Sequence, residues 1–166
     1  MEYTSAEANK LLSRLKREEE LLLQKERLGC EFTAATVENL DDARPEYDYR
    51  AVQRELAVLE EKVRKVKHAI NSFNATHEIP GFGMTPDCAL VYIPQLTRRI
   101  EKLQRMSNRL PKERLDSGDG SFIEYRYANY SVAEAEADYI AAAEELSRLQ
   151  NALDVENNTV KFEIEF

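Results

Sequence analysis

Asn71, Asn74, His77 and Asn157 are the polar residues whose types and spacing could serve a ligand. Asn71 and Asn74 stand three positions apart near the end of a helical stretch, and His77 follows within another turn. Amide and imidazole groups in that arrangement could converge on a polar small molecule at the helix ends. Asparagine in such places also caps helices and closes turns through its own amide, which needs no ligand.

Other chemistry is sparse. A carboxylate-rich helical chain invites a di-iron reading, but that needs Glu three residues before His on an inward face. The residues three before His68 and His77 are Lys65 and Asn74. Two histidines and two cysteines give no zinc spacing. Cys30 and Cys88 suit buried or idle thiols in a reducing compartment. No phosphate-binding glycine motif or nucleophile elbow occurs, and Gly81-Phe82-Gly83 reads as a turn before a capped helix. No catalytic residue, metal or cofactor is expected.

The elements that must position these residues follow from apolar periodicity. Tyr49, Val52, Leu56, Leu59, Val63, Val66, Ile70 and Phe73 recur at alternating spacings of three and four, the pattern of a coiled-coil seam. Weaker seams are Ala8, Leu12, Leu15, Leu22; Ala89, Ile93, Leu96, Ile100, Leu103, Leu110; and Ala135, Tyr139, Ala142, Leu146, Leu149, Leu153. Thr4 with Glu7 and Ser131 with Glu134 have capping-box spacing, while Thr85, Pro86 and Asp87 suit a helix start. Pro94 should kink or interrupt the third helix. Helices are therefore predicted at about 5–28, 48–74, 86–110 and 131–156. Period-two alternation predicts strands at about 31–37, 121–130 and 159–166.

The expected fold is mainly α, within the α+β class. It is one domain over 1–166, an antiparallel bundle of four long helices with coiled-coil-like seams plus a small antiparallel sheet. The tyrosines at 125, 127, 130 and 139 could stack bases, but packing of their strand against the bundle is the expected arrangement. A last helix of about 25 residues would carry the final strand roughly 37 Å from the other two. That strand is therefore expected to pair with a neighbouring protomer or with a segment doubling back along the bundle.

The 166 residues carry 23 basic and 31 acidic side chains, net −8, unevenly placed. Residues 62–114 hold eleven basic and four acidic groups, net +7. Lys62, Lys65, Arg98, Arg99, Lys102 and Arg105 form the candidate polyanion-binding set within that block. The expected arrangement has the block facing the acidic first and last helices, within the bundle or across a subunit interface. Nucleic acid is then not an expected partner. No stretch reaches the roughly 20 apolar residues of a membrane span, and a secretory signal is not recognisable, so a cytoplasmic protein is expected.

Ile70-Asn71-x-x-Asn74, Thr85 with Ala89-Leu90, and Leu153-Asp154-x-x-Asn157-x-Thr159 resemble the septicolysin-like family of small bacterial helical proteins. The resemblance spans most of the chain. It implies a helical bundle with a small sheet and carries no assigned activity. Seams, edge strand and charge segregation together lead to an expected non-enzymatic, self-associating interaction or structural module, a homo-oligomer that could also hold a protein partner. The alternatives are a small-molecule binder or enzyme using the asparagine and histidine set, and a nucleic-acid binder using the basic block.

Overall fold

Thr4 sets the first helix boundary. In the computed structural model, which describes residues 1–115 and 122–166, the Glu7 backbone N–H donates to Thr4 Oγ1 at 3.2 Å, while the Thr4 N–H donates to Glu7 Oε2 at 2.9 Å. Together these bonds satisfy two amides at the helix start. From there α1 runs over Ser5–Gly29, preceded by β1 (Glu2–Thr4). The chain continues through α2 (Leu40–Ala43), α3 (Tyr49–Thr76), α4 (Pro86–Ser107), β2 (Lys112–Leu115), β3 (Glu124–Tyr127), α5 (Val132–Thr159) and β4 (Lys161–Glu163). It is mainly helical, with two antiparallel two-stranded sheets, β1–β4 and β2–β3.

The Thr4 backbone N–H holds the Glu7 carboxyl below its ordinary range, with the Thr4 hydroxyl adding to the effect. A carboxyl whose folded value is depressed stabilises the fold above its unfolded value and loses that contribution as pH falls through the folded one. Thr4→Ala should cost about 1 kcal/mol by removing the cap. Glu7→Gln should flatten the acid limb of a melting-temperature profile against pH, and an unchanged limb would show that the carboxylate does not act there.

Residues Met1–Asn74 with Glu156–Phe166 form one compact unit, and Ala75–Val155 form a second. In the first unit α1 and α3 run antiparallel. Ala8 and Leu15 share a core with Val66, Ile70 and Ile164, whereas Glu26, late in α1, accepts from Gln53 Nε2 at 2.6 Å and from the Tyr47 hydroxyl at 3.1 Å. Burial at this contact and the Glu26 bond push the Tyr47 hydroxyl up from its ordinary value. Gly29 permits the approach, because a Cβ there would stand 3.0 Å from Tyr47 Cβ. The predicted α3 seam is the buried face: Val52, Leu56, Val66, Ile70 and Phe73 are buried, and Tyr49 at its end is exposed.

The sheets depart from the sequence expectation. Residues 31–37 form no strand, and Val37 is 95% exposed. The C-terminal strand pairs within the chain, Tyr3 opposite Phe162 and Thr4 opposite Lys161, so of the two expected arrangements the partner is a segment of the same chain, the N-terminal β1. Its partner β1 spans three residues, too few for alternation to show. Phe162 stacks on Phe73 with ring centroids 4.8 Å apart, and Ile164 is 1% exposed. In the stretch predicted as 121–130, Ser121 lies outside the described residues and the strand itself is Glu124–Tyr127. Both free thiols, Cys30 and Cys88, are exposed and not buried.

In the second unit, Ile79, Ala89, Leu96, Leu149 and Leu153 form the core. Thr85 caps α4 with Pro86 at its start and Asp87 in its first turn. Ser131 Oγ accepts from the Glu134 N–H at 3.2 Å before α5. Before α4, the Ile79 N–H donates to the Met84 carbonyl at 2.8 Å, closing a turn in which Gly81 and Gly83 have φ of 81° and 58°. Those left-handed values are ones that side-chain-bearing residues avoid. Pro94 does not end α4, which continues to Ser107. The proline itself is exposed, where water can reach the backbone that lacks its bond.

Candidate functional site

α4 buries Ala89, Leu96 and Leu103. At 3.6 residues per turn, Arg98, Lys102 and Arg105 fall within about 60° of one another on the opposite side. All three are exposed, as is Arg109 just past the helix. Neither these four nor Arg99 forms an ion pair with a carboxylate among the described residues. α4 is held to α5 by apolar packing and by the Tyr92 hydroxyl, which donates to Glu145 Oε1 at 2.8 Å. That bond, aided by burial, raises the Tyr92 hydroxyl above its ordinary value.

The α3 portion of the basic block is different. Lys65 pairs with Glu61 at 2.9 Å and Arg64 with Glu60 at 3.9 Å, each four residues back on the same helix. The Lys65 bond holds Glu61 below its ordinary carboxyl range. Lys62 is exposed in the same stretch. Among the described residues no ion pair joins the α4 cations to α5, so the expected pairing with that acidic helix within the chain is not formed. The local spacing of Glu four residues before a basic residue satisfies α3, and the outward direction of its cations leaves α4 unpaired.

β2 and β3 carry further cations. Their register sets Lys112 opposite Tyr127 and Arg114 opposite Tyr125. Residues directly opposite share a face, so Lys112, Arg114, Tyr125 and Tyr127 lie on one side. The tyrosine centroids are 6.3 Å apart, and Lys112 Nζ stands 4.1 Å from the Tyr125 centroid and 5.5 Å from that of Tyr127. Arg126 and Glu113 pair at 3.5 Å on the other face. Every residue of β3 is exposed. The expected packing of this strand against the bundle is therefore corrected.

The hairpin is fixed to the end of α4. The Tyr130 hydroxyl donates to the Met106 carbonyl at 2.9 Å, and within the hairpin the Ala128 N–H donates to the Pro111 carbonyl at 3.1 Å, one step beyond the β2–β3 ladder. Between them lies an open cavity of about 530 Å³ whose lining includes Asn108, Arg109, Tyr127, Asn129 and Tyr130.

The other candidate set is placed piecemeal. In the first unit Asn71 is exposed, and Asn74 and Asn157 are half-buried. No side-chain hydrogen bond joins these three to one another among the described residues. Asn74 Oδ1 is buried with no hydrogen-bond partner among those residues. His77 belongs to the second unit and is half-buried. Among the described residues no cluster of three or more His, Cys, Asp or Glu could hold a metal, and no helix is long and apolar enough to cross a membrane.

Sequence reasoning missed β2 as a strand. Lys112-Glu113-Arg114 reads as a polar helix end, yet Gly118 and Gly120 separate it from a tyrosine-rich alternation at hairpin spacing, a signal that could have found the pair.

This architecture defines a class, a mainly helical α+β chain with two small antiparallel sheets. The chain is similar to a solved structure of a functionally unknown conserved protein from Corynebacterium diphtheriae, at 19% identity and a TM-score of 0.56, over 98% of this chain and 100% of that one. At that identity the likeness shows the fold alone. The sequence matches no family model and no curated protein.

Proposed function

We propose that the protein is a non-enzymatic interaction module of the bacterial cytoplasm, related to the septicolysin-like proteins, and that its working surface is the cationic side of α4 and the β2–β3 hairpin. The observation that carries this reading is the row Arg98, Lys102 and Arg105, exposed on one side of a helix without a carboxylate partner among the described residues. In a chain of net charge −8, cations left unpaired favour a polyanionic partner. Charge reversal at all three positions (R98E, K102E, R105E) should lower affinity for heparin at least tenfold at low salt and leave the melting temperature within a few degrees. Fluorescence anisotropy over a salt series checks it. With a single-stranded polyanion the slope of log affinity against log salt should become shallower by about 2, roughly 0.7 for each lost phosphate contact. Unchanged affinity would sink the reading.

Self-association is the second reading, now resting on helix surfaces and not on the C-terminal strand. Leu21 and Leu28 of α1 and Val58 of α3 are 57%, 74% and 52% exposed in the first unit, and a second copy could cover them. Sedimentation should then show a mass above one chain that Leu21→Glu with Leu28→Glu reduces. A wild-type mass of one chain across the micromolar range removes this reading.

A further inference from the structure

We infer that the β2–β3 face is a stacking platform for single-stranded nucleic acid, with Tyr125 and Tyr127 taking bases and Lys112, Arg114 and the α4 row taking phosphates. This rests on the polyanion reading above and names its partner. Heparin, a duplex and a single strand all offer anions, but the single strand alone also offers unpaired bases with open faces.

The register puts both rings on the same face as two cations. Lys112 Nζ lies over the rings, 4.1 Å from one centroid and 5.5 Å from the other, so a base stacking on that side would displace the ammonium, which its flexible stem lets swing toward the phosphate. Exposed tyrosines on a strand are a recurrent means of binding single strands without sequence preference, because every base has a π-face. The open cavity beside Tyr127 is lined by Asn108, Arg109 and Asn129 and also by the paired Glu113 and Arg126 of the hairpin's other face, so it is not counted as part of the platform. The Tyr130 hydrogen bond ties the residue after the hairpin to the end of α4, and platform and cation row belong to one unit. Nothing on this face singles out a 2′-hydroxyl, so DNA and RNA single strands are both expected to bind.

The test uses the full chain and five probes by fluorescence anisotropy or co-sedimentation: oligo(dT), oligo(rU), a duplex of equal length, heparin, and vesicles rich in anionic lipid. The wild type should bind the two single strands at least tenfold more tightly than the duplex. Tyr125→Ala with Tyr127→Ala should lose tenfold or more toward the single strands and nothing toward heparin, whereas Tyr125→Phe with Tyr127→Phe, which keeps the rings, should restore binding. Both positions are exposed, and an unchanged melting curve confirms that each variant folds. Equal binding of single strand and duplex, or an alanine pair that binds single strands as well as the wild type, overturns the platform and leaves the polyanion reading standing. Tighter binding to the vesicles than to any oligonucleotide overturns it in favour of a membrane surface. No binding to any probe at low salt overturns both.

Discussion

Ile164→Ala is expected to destabilise the first unit by about 2–5 kcal/mol, the range for emptying a buried Ile site. Ile164 is 1% exposed and packs with Ala8, Leu15, Val66 and Ile70, so it joins the end of the chain to both long helices of the unit. Its N–H also donates to the Met1 carbonyl at 2.9 Å. The cavity left by alanine would be lined by side chains anchored on α1 and α3, which cannot close it without moving a helix. Phe166→Ala is the control, because that ring is 51% exposed and its loss should cost less than about 1 kcal/mol. Urea unfolding with an unchanged m-value measures both. A cost for Ile164→Ala below that of Phe166→Ala would mean that the tail is not held in the core.

Leu149→Ala should have an effect of similar size in the second unit, about 3–5 kcal/mol. Leu149 is fully buried and meets Leu96 and Ala89 of α4 together with Ile79 of the glycine turn. Ala135 and Ala142 are buried on the same stripe of α5, so the larger Leu149 and Leu153 supply much of the apolar volume on that face. Ile140→Ala on the same helix, at a site 49% exposed, should cost less than about 1 kcal/mol. Amide exchange at buried α4 positions should rise in Leu149→Ala and stay slow in Ile140→Ala. Equal effects of the two would refute this account of the core.

The long helices were legible because their seams repeat many times. Val52 to Phe73 gives seven concordant positions, and burial on one side is the simplest outcome of such a pattern. Caps were legible because their chemistry is local: Thr4 with Glu7, Thr85 with Pro86. Strand pairing was not, because register is a contact between distant segments and short strands carry little pattern. Three-residue β1 has no alternation to detect, and β2 hides its alternation under charge. The candidate interface was half legible for the same reason. Arg98, Lys102 and Arg105 were named from sequence, but the facing of Lys112 with Tyr127 and Arg114 with Tyr125 exists only once the hairpin is paired. Nor could composition tell that Lys65 has a carboxylate four residues away at bonding distance while the α4 cations point outward.

The β2–β3 hairpin has a consequence for colloidal behaviour. A sheet of two strands has two open edges, each a row of backbone donors and acceptors able to recruit another copy. Here five of the eight strand positions are charged, Lys112, Glu113, Arg114, Glu124 and Arg126, so a foreign strand adding to either edge would bring its own charges beside them. The arrangement acts as a gatekeeper against cross-β growth in an exposed segment that also carries two aromatic rings. Two of those five, Lys112 and Arg114, are also the hairpin charges offered to a polyanion, so one pair of cations serves both ends.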